Sequence, residues 1–221
     1  MTTGPTTLSD LREILGHHLR EIGGRFEEGE LAYLASTGKV EAAVRDRLAW
    51  RLHQQLGQDV VVSREWPLGG AKRADVALLR DSIPWAVVEF KALYAFDVHI
   101  EKNRGEYRER VRADLARAAE WAPQAEAYAV VLTTHVAGTI RPDLARVVKY
   151  APGIGRALTQ LGTADAVRSK ALEIWGQELA TLGAPVEAIE LDSGRVWGLD
   201  IVLDAWLVGP VPHHQLDGGH V

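Results

Sequence analysis

The chain has 221 residues, 47% apolar and 25% charged, with 25 Lys and Arg set against 30 Asp and Glu for a formal net charge of −5. That length and composition support one sizeable α/β unit with peripheral helices and exclude wholesale disorder. The lack of cysteine excludes a disulfide framework and any thiolate metal site, and the acidic balance excludes a protein that coats nucleic acid non-specifically.

Residues 1–10 lack the basic and apolar regions of a signal peptide, and no apolar run has the length needed to cross a bilayer. The expectation is a soluble, cytoplasmic protein with no membrane partner. Leu8, Leu11, Leu15 and Leu19 predict an amphipathic helix over 8–22, closed by Gly23 and Gly24, with His17 and His18 as surface polar residues. A second short helix is predicted over 28–35, interrupted at Ser36-Thr37-Gly38.

The helix predicted over 40–56 is more informative. Val40, Val44, Leu48, Leu52 and Leu56 form one apolar stripe, and Glu41 projects into it. A carboxylate buried there requires a compensating charge or donor; if it instead reaches water, it is an ordinary first-turn Glu favoured by the helix dipole. Strands follow over 59–66 and 73–80, joined by a turn at 67–70, and then over 85–93 after a turn at 81–84.

Tyr107, Val111, Leu115 and Ala118 predict a helix over 102–121, stopped by Pro123. Residues 127–133 supply another buried strand, and the order strand, helix, strand implies a parallel crossover. Loop is expected over 138–155 with a short helix at 144–150, and a longer helix over 163–182. Strands over 186–191 and 196–208 are expected to join at a hairpin turn at 192–194, and residues 209–221 form a polar tail with three histidines.

The strongest anomaly lies in the strand Trp85-Ala-Val-Val-Glu-Phe-Lys-Ala-Leu93. Glu89 and Lys91 stand two apart, so both emerge on one face of a strand that is otherwise apolar. An exposed ion pair on an edge strand is the alternative, which the flanking apolar residues disfavour. A hairpin to the preceding strand can bring Asp75 beside Glu89. Two carboxylates together offer the hard oxygen ligands that suit Mg²⁺ or Mn²⁺. A lysine beside them can orient water and offset charge developing on a phosphate. Glu41, facing inward from the preceding helix, can reach the same cation directly or through water.

Asp75 and, after thirteen intervening residues, Glu89-Phe90-Lys91 resemble the signature of the PD-(D/E)xK nuclease superfamily. The resemblance implies a restriction-endonuclease-like α/β fold, a mixed sheet flanked by helices, over residues 40–133. It maps the family's acidic pair onto Asp75 and Glu89, its lysine onto Lys91 and its helix glutamate onto Glu41. Ala74 stands where the motif's proline would be. The implied division is a helical extension over 1–38, a nuclease core over 39–135, and a C-terminal helix and strand extension over 136–221 packed on the same unit. The implied activity is Mg²⁺- or Mn²⁺-dependent endonucleolytic cleavage, of DNA first, in restriction, anti-phage defence or DNA processing. RNA is the alternative substrate, and a catalytically idle nucleic-acid-binding or regulatory subunit is the alternative role.

Lys72 and Arg73, close to Asp75, and Lys102, Arg104 and Arg108 on the following helix are the candidates for phosphate contact, because Arg forks onto phosphate oxygens. A solvated helix balanced by Glu106 and Glu109 explains the second group equally well. His99 reads as polar surface. Because one chain displays little positive charge, a homodimer or a protein partner is expected to complete the interface.

Overall fold

The computed structural model describes residues 8–69 and 72–211. Its centre is a six-stranded mixed sheet flanked by helices. The strands are β1 (Val61–Gly69), β2 (Lys72–Arg80), β3 (Ile83–Tyr94), β4 (Glu126–Ala137), β5 (Val186–Val196) and β6 (Leu199–Val211). They lie in the order β1-β2-β3-β4-β6-β5. Only β3 and β4 are parallel, and the crossover between them carries the short α4 (Ala95–Val98) and the long α5 (Glu101–Trp121). The other neighbouring pairs are antiparallel.

Alternation along the central strands divides the interior into two layers. Val88, Phe90 and Ala92 of β3 share a core with leucines of α1 (Leu8–Glu21) and with α2 (Glu30–Thr37) and α3 (Glu41–Leu56). Val87 and Leu93, of the opposite parity, pack with Val111 and Leu115 of α5 and with Trp175 and Leu179 of α7 (Ala164–Ala180). Glu89 and Lys91 share the parity of this second group, so they rise into the layer beneath α5. No helix among the described residues is long and apolar enough to cross a membrane.

Several expectations change. The hairpin predicted to turn at 192–194 turns instead at Trp197 and Gly198, both with positive φ (52° and 79°), and a register shift between Asp192 and Arg195 absorbs the earlier turn signal inside β5. In place of a helix over 144–150 there is one 3₁₀ turn, Pro142–Leu144, and then α6 (Ala151–Leu161), which has a proline in its first turn and buries Ile154 and Ala157. Helix α2 runs on through Ser36 and Thr37, whose hydroxyls donate back to the Tyr33 carbonyl at 3.0 and 2.8 Å. Strand β1 continues past Trp66, and its Pro67 is tolerated because the strand lies at the sheet edge. His18 is not a surface residue: it is 4% exposed, and burial holds its imidazole below the usual histidine range. The histidines of the tail beyond Val211 lie outside the described residues, as does the tip of the 67–70 turn at Gly70.

Candidate active site

The site is created by a fork in the sheet. Pairing between β2 and β3 runs from Arg80 and Ile83 to Val76 and Val88 and ends there. Beyond that point β2 stays with β1, pairing Ala74 with Trp66 and Arg73 with Pro67, while β3 stays with β4 from Glu89 to Tyr94. One edge of β3 therefore has no strand to receive its N–H groups, which need acceptors when buried. Carboxylates take that place. Phe90 N–H donates to Asp75 Oδ2 at 2.7 Å, Ala92 N–H to Glu41 Oε1, and Tyr94 N–H to Asp97 Oδ2 at 3.2 Å. Two of these three acids, Asp75 and Glu41, are site residues expected from sequence.

Glu41 is brought there by the connection between α2 and α3. Tyr94 Oη lies 2.8 Å from the Ala35 carbonyl and 3.0 Å from that of Gly38, pinning the turn that starts α3. Glu41 is the first residue of α3 and so also benefits from the helix dipole. Glu41 thus caps an unpaired edge of β3 from the first turn of its helix.

Glu89 is 4% exposed, and its Oε1 is buried without a hydrogen-bond partner. Burial, then the nearby charges of Asp75 and Asp114, push its carboxyl up to about 8, and a hydrogen bond with Asp75 favours the protonated form further. A carboxyl that is buried beside other carboxylates is commonly held protonated, because its anion would crowd like charges. An orphaned buried oxygen next to a second carboxylate is also what a cation-binding pair presents before its cation arrives. The donor set of Asp75, Glu89 and Glu41 is all oxygen, as Mg²⁺ or Mn²⁺ requires. Among the described residues, however, only His17, His18 and Glu21 bring three ligand atoms within 4.8 Å of one another, so Glu41 stands apart from the Asp75–Glu89 pair.

Lys91 does not pair with Glu89. Its ammonium contacts Asp114 Oδ2 and donates to the Phe90 carbonyl at 3.0 Å. Burial alone would lower its pKa, but Asp114, Asp75 and Glu89 outweigh that effect and raise it. Asp75 also has a cationic neighbour, Arg45 Nη1 at 3.3 Å, one helical turn beyond Glu41. The same guanidinium meets Asp46 at 3.0 Å and Glu65. Asp114 and Arg45 were absent from the expected site. Asp114 carried a readable signal, since it interrupts the apolar face formed by Val111, Leu115 and Ala118 just as Glu41 interrupts that of α3.

The basic residues divide into two groups. Lys72 and Arg73 are exposed at the start of β2, beside the fork, with Arg73 Nη1 3.3 Å from the Glu65 carbonyl. Lys102 is exposed in the first turn of α5. Arg104 and Arg108 point elsewhere: both bind Glu178 of α7, at 2.7 and 2.8 Å, and clamp the two helices together. Glu178→Gln is accordingly expected to lower stability by about 2 kcal/mol in denaturant unfolding, since two part-buried guanidinium groups lose their shared counter-charge. An unchanged midpoint would show that the clamp contributes nothing. His99 is half-buried and paired through Nε2 with the Val167 carbonyl at 3.0 Å, away from the fork.

A second group with metal-ligand chemistry is formed by His17, His18 and Glu21, whose ligand atoms lie within 4.8 Å of one another. Arg25 already binds Glu21 at 2.8 Å, and the charge of Arg51 acts on His18, so a cation would enter against two guanidinium groups. No family model matches the chain, and no curated protein or solved structure matches it.

Proposed function

We propose that this chain is a metal-dependent nuclease with a restriction-endonuclease-like fold, hydrolysing phosphodiester bonds in DNA. The observation that carries the reading is the fork between β2 and β3, where Asp75 and Glu41 accept from freed β3 N–H groups and Asp75 lies beside Glu89, whose Oε1 is buried without a partner, with Lys91 on the same face of β3 as Glu89. Asp75 and Glu89 would hold Mg²⁺ or Mn²⁺, with Glu41 on the same edge of β3 as Asp75. That ion supplies Lewis-acid polarisation of water and of a phosphoryl oxygen.

The chain's own residues account for the remaining demands of the reaction. Water adds to phosphorus and the bond from phosphorus to the leaving oxygen breaks, so negative charge grows on the phosphoryl oxygens. Lys91 places a fixed ammonium where that charge appears. Asp75 and Glu41 are each held by a β3 backbone N–H, so neither has to reorganise during the reaction. Lys72 and Arg73 at the mouth of the fork are placed to receive flanking phosphates. A role in restriction or defence follows from the sequence resemblance, and a homodimer or protein partner would add positive surface that this acidic chain lacks.

The direct test incubates purified protein with supercoiled, linear and single-stranded DNA and with RNA, in Mg²⁺, Mn²⁺ or EDTA. Cleavage of DNA that EDTA stops is the expected result. Cleavage of RNA alone would make it a ribonuclease, and binding without cleavage in either metal would sink the enzyme reading. Glu41→Gln keeps an acceptor for Ala92 N–H, so the fold should persist while cleavage drops about 10²-fold, the usual cost of removing one positioned charge. Activity within a few-fold of wild type would return Glu41 to a purely structural role.

Light scattering reports on assembly, with a two-fold dimer as the expected state. Efficient cutting of duplex DNA by a monomer would defeat the expectation of a partner.

A further inference from the structure

We propose that Asp114 is the positioning residue of this site: from the buried face of α5 it fixes the Lys91 ammonium beside Glu89, and turnover requires its carboxylate while metal and nucleic-acid binding do not. The inference rests on the nuclease reading above and names a residue outside the motif that suggested it.

Asp114 is 6% exposed and is surrounded along its helix by the buried Val111, Leu115 and Ala118. A carboxylate placed there has to be matched by cations, because leaving it alone in an apolar layer is costly. Two cations meet it, one on each oxygen. Arg117, in the next turn of the same helix, binds Oδ1 at 2.8 Å, and Lys91 approaches Oδ2. The division has a consequence for geometry. Arg117 holds the carboxylate from its own helix, so the second oxygen becomes a fixed point to which the flexible lysine stem is tied.

An ammonium has three donors. Lys91 meets Asp114 Oδ2 as an ion pair and directs one donor to the Phe90 carbonyl at 3.0 Å, and its ammonium has no further partner among the described residues, which leaves a third donor. The Lys91 side chain is 24% exposed, so that third donor can be reached from the crevice. A lysine tied at two points and open at the third is arranged to meet a substrate oxygen. Left untied, the same stem would sample many rotamers, and the ammonium would hydrate rather than wait beside the reacting phosphate.

The test uses Asp114→Asn and Asp114→Glu in the full chain, with Lys91→Ala to assign signals. Three measurements are made: Mn²⁺ affinity by calorimetry, kcat and KM for plasmid nicking, and the ¹⁵N ammonium signal of Lys91 in metal-free protein. Asp114→Asn should lower kcat by about 10²-fold while KM and Mn²⁺ affinity stay within about three-fold, and the Lys91 signal should vanish into fast solvent exchange. Asp114→Glu should keep the signal and recover most of kcat. If Asp114→Asn does not fold, Arg117→Gln serves instead: it loosens the carboxylate without removing it and should cost several-fold in kcat alone. A kcat within about three-fold of wild type in a folded Asp114→Asn protein, or a Lys91 signal that survives, overturns the proposal. Failure of the nuclease reading looks different. Wild type then cuts nothing, and the catalytic half of the proposal falls with it. The ammonium signal still decides separately whether Asp114 anchors the lysine.

Discussion

Glu89→Gln should abolish Mn²⁺ binding and cleavage while making the metal-free protein more stable above pH 8. The side chain is buried, and its carboxyl is pushed from an ordinary value of 4.5 up to about 8, by burial first and by the Asp75 and Asp114 charges next. Below pH 4.5 the folded and unfolded chains both hold this proton. As pH rises from there to about 8 the unfolded chain releases it and the folded chain keeps it, so the stability it contributes is progressively lost. Over the whole window the loss is on the order of 5 kcal/mol. Gln has no proton to lose, fits the same space and can still hydrogen-bond Asp75. Denaturant unfolding in EDTA should therefore show the wild type weakening between pH 5 and 8.5, with the variant lacking that slope. Metal needs the anion, so wild-type Mn²⁺ affinity should climb about tenfold per pH unit below that pKa, with a proton released on binding. Equal Mn²⁺ affinity in the two proteins would remove Glu89 from the metal site. A wild-type stability that does not change with pH would show that its carboxyl is not held neutral.

Lys91→Ala should reduce cleavage by about 10³-fold and leave nucleic-acid binding within a few-fold, because the ammonium acts on charge that develops during the reaction, whereas affinity is spread over many phosphate contacts. The stability cost follows from which acid is the partner. Had Lys91 neutralised Glu89, its removal would strand a buried anion. The structure gives it Asp114 instead, and Asp114 keeps Arg117 at 2.8 Å when the lysine is gone. The expected loss is about 2 kcal/mol, which for a chain of this size lowers Tm by roughly 4–8 °C. Melting temperature and plasmid cleavage in Mn²⁺, measured together on wild type and variant, separate the cases. A folded variant that still cuts within tenfold of wild type would falsify a role for Lys91 in the chemistry.

Much of the architecture was legible in the chain itself. Strands β3 and β4 announce themselves by length, β-branched content and bounding turns, and α3, α5 and α7 by apolar residues at helical spacing. Glu89 and Lys91 stand out because charge inside a buried strand must be compensated, a demand that holds whatever the surrounding fold. The same reasoning marked Glu41 and, followed along α5, would have marked Asp114. Element ends were less legible where local hydrogen bonds or register shifts intervene, as at Ser36, Thr37 and the displaced β5–β6 turn.

Tertiary structure alone decided which charge meets which. Arg45 reaches Asp75 across 30 positions, and Arg104 and Arg108 reach Glu178 across 74 and 70. Spacing along the chain carries no record of such pairings, because long side chains on different elements meet only once the layers are packed. The fork between β2 and β3 belongs to the same class. Each strand reads in sequence as a complete strand, and only the sheet shows where pairing stops. That stopping point leaves the β3 N–H groups to be satisfied by carboxylates, and so it brings Asp75 and Glu41, far apart in sequence, to one edge of β3.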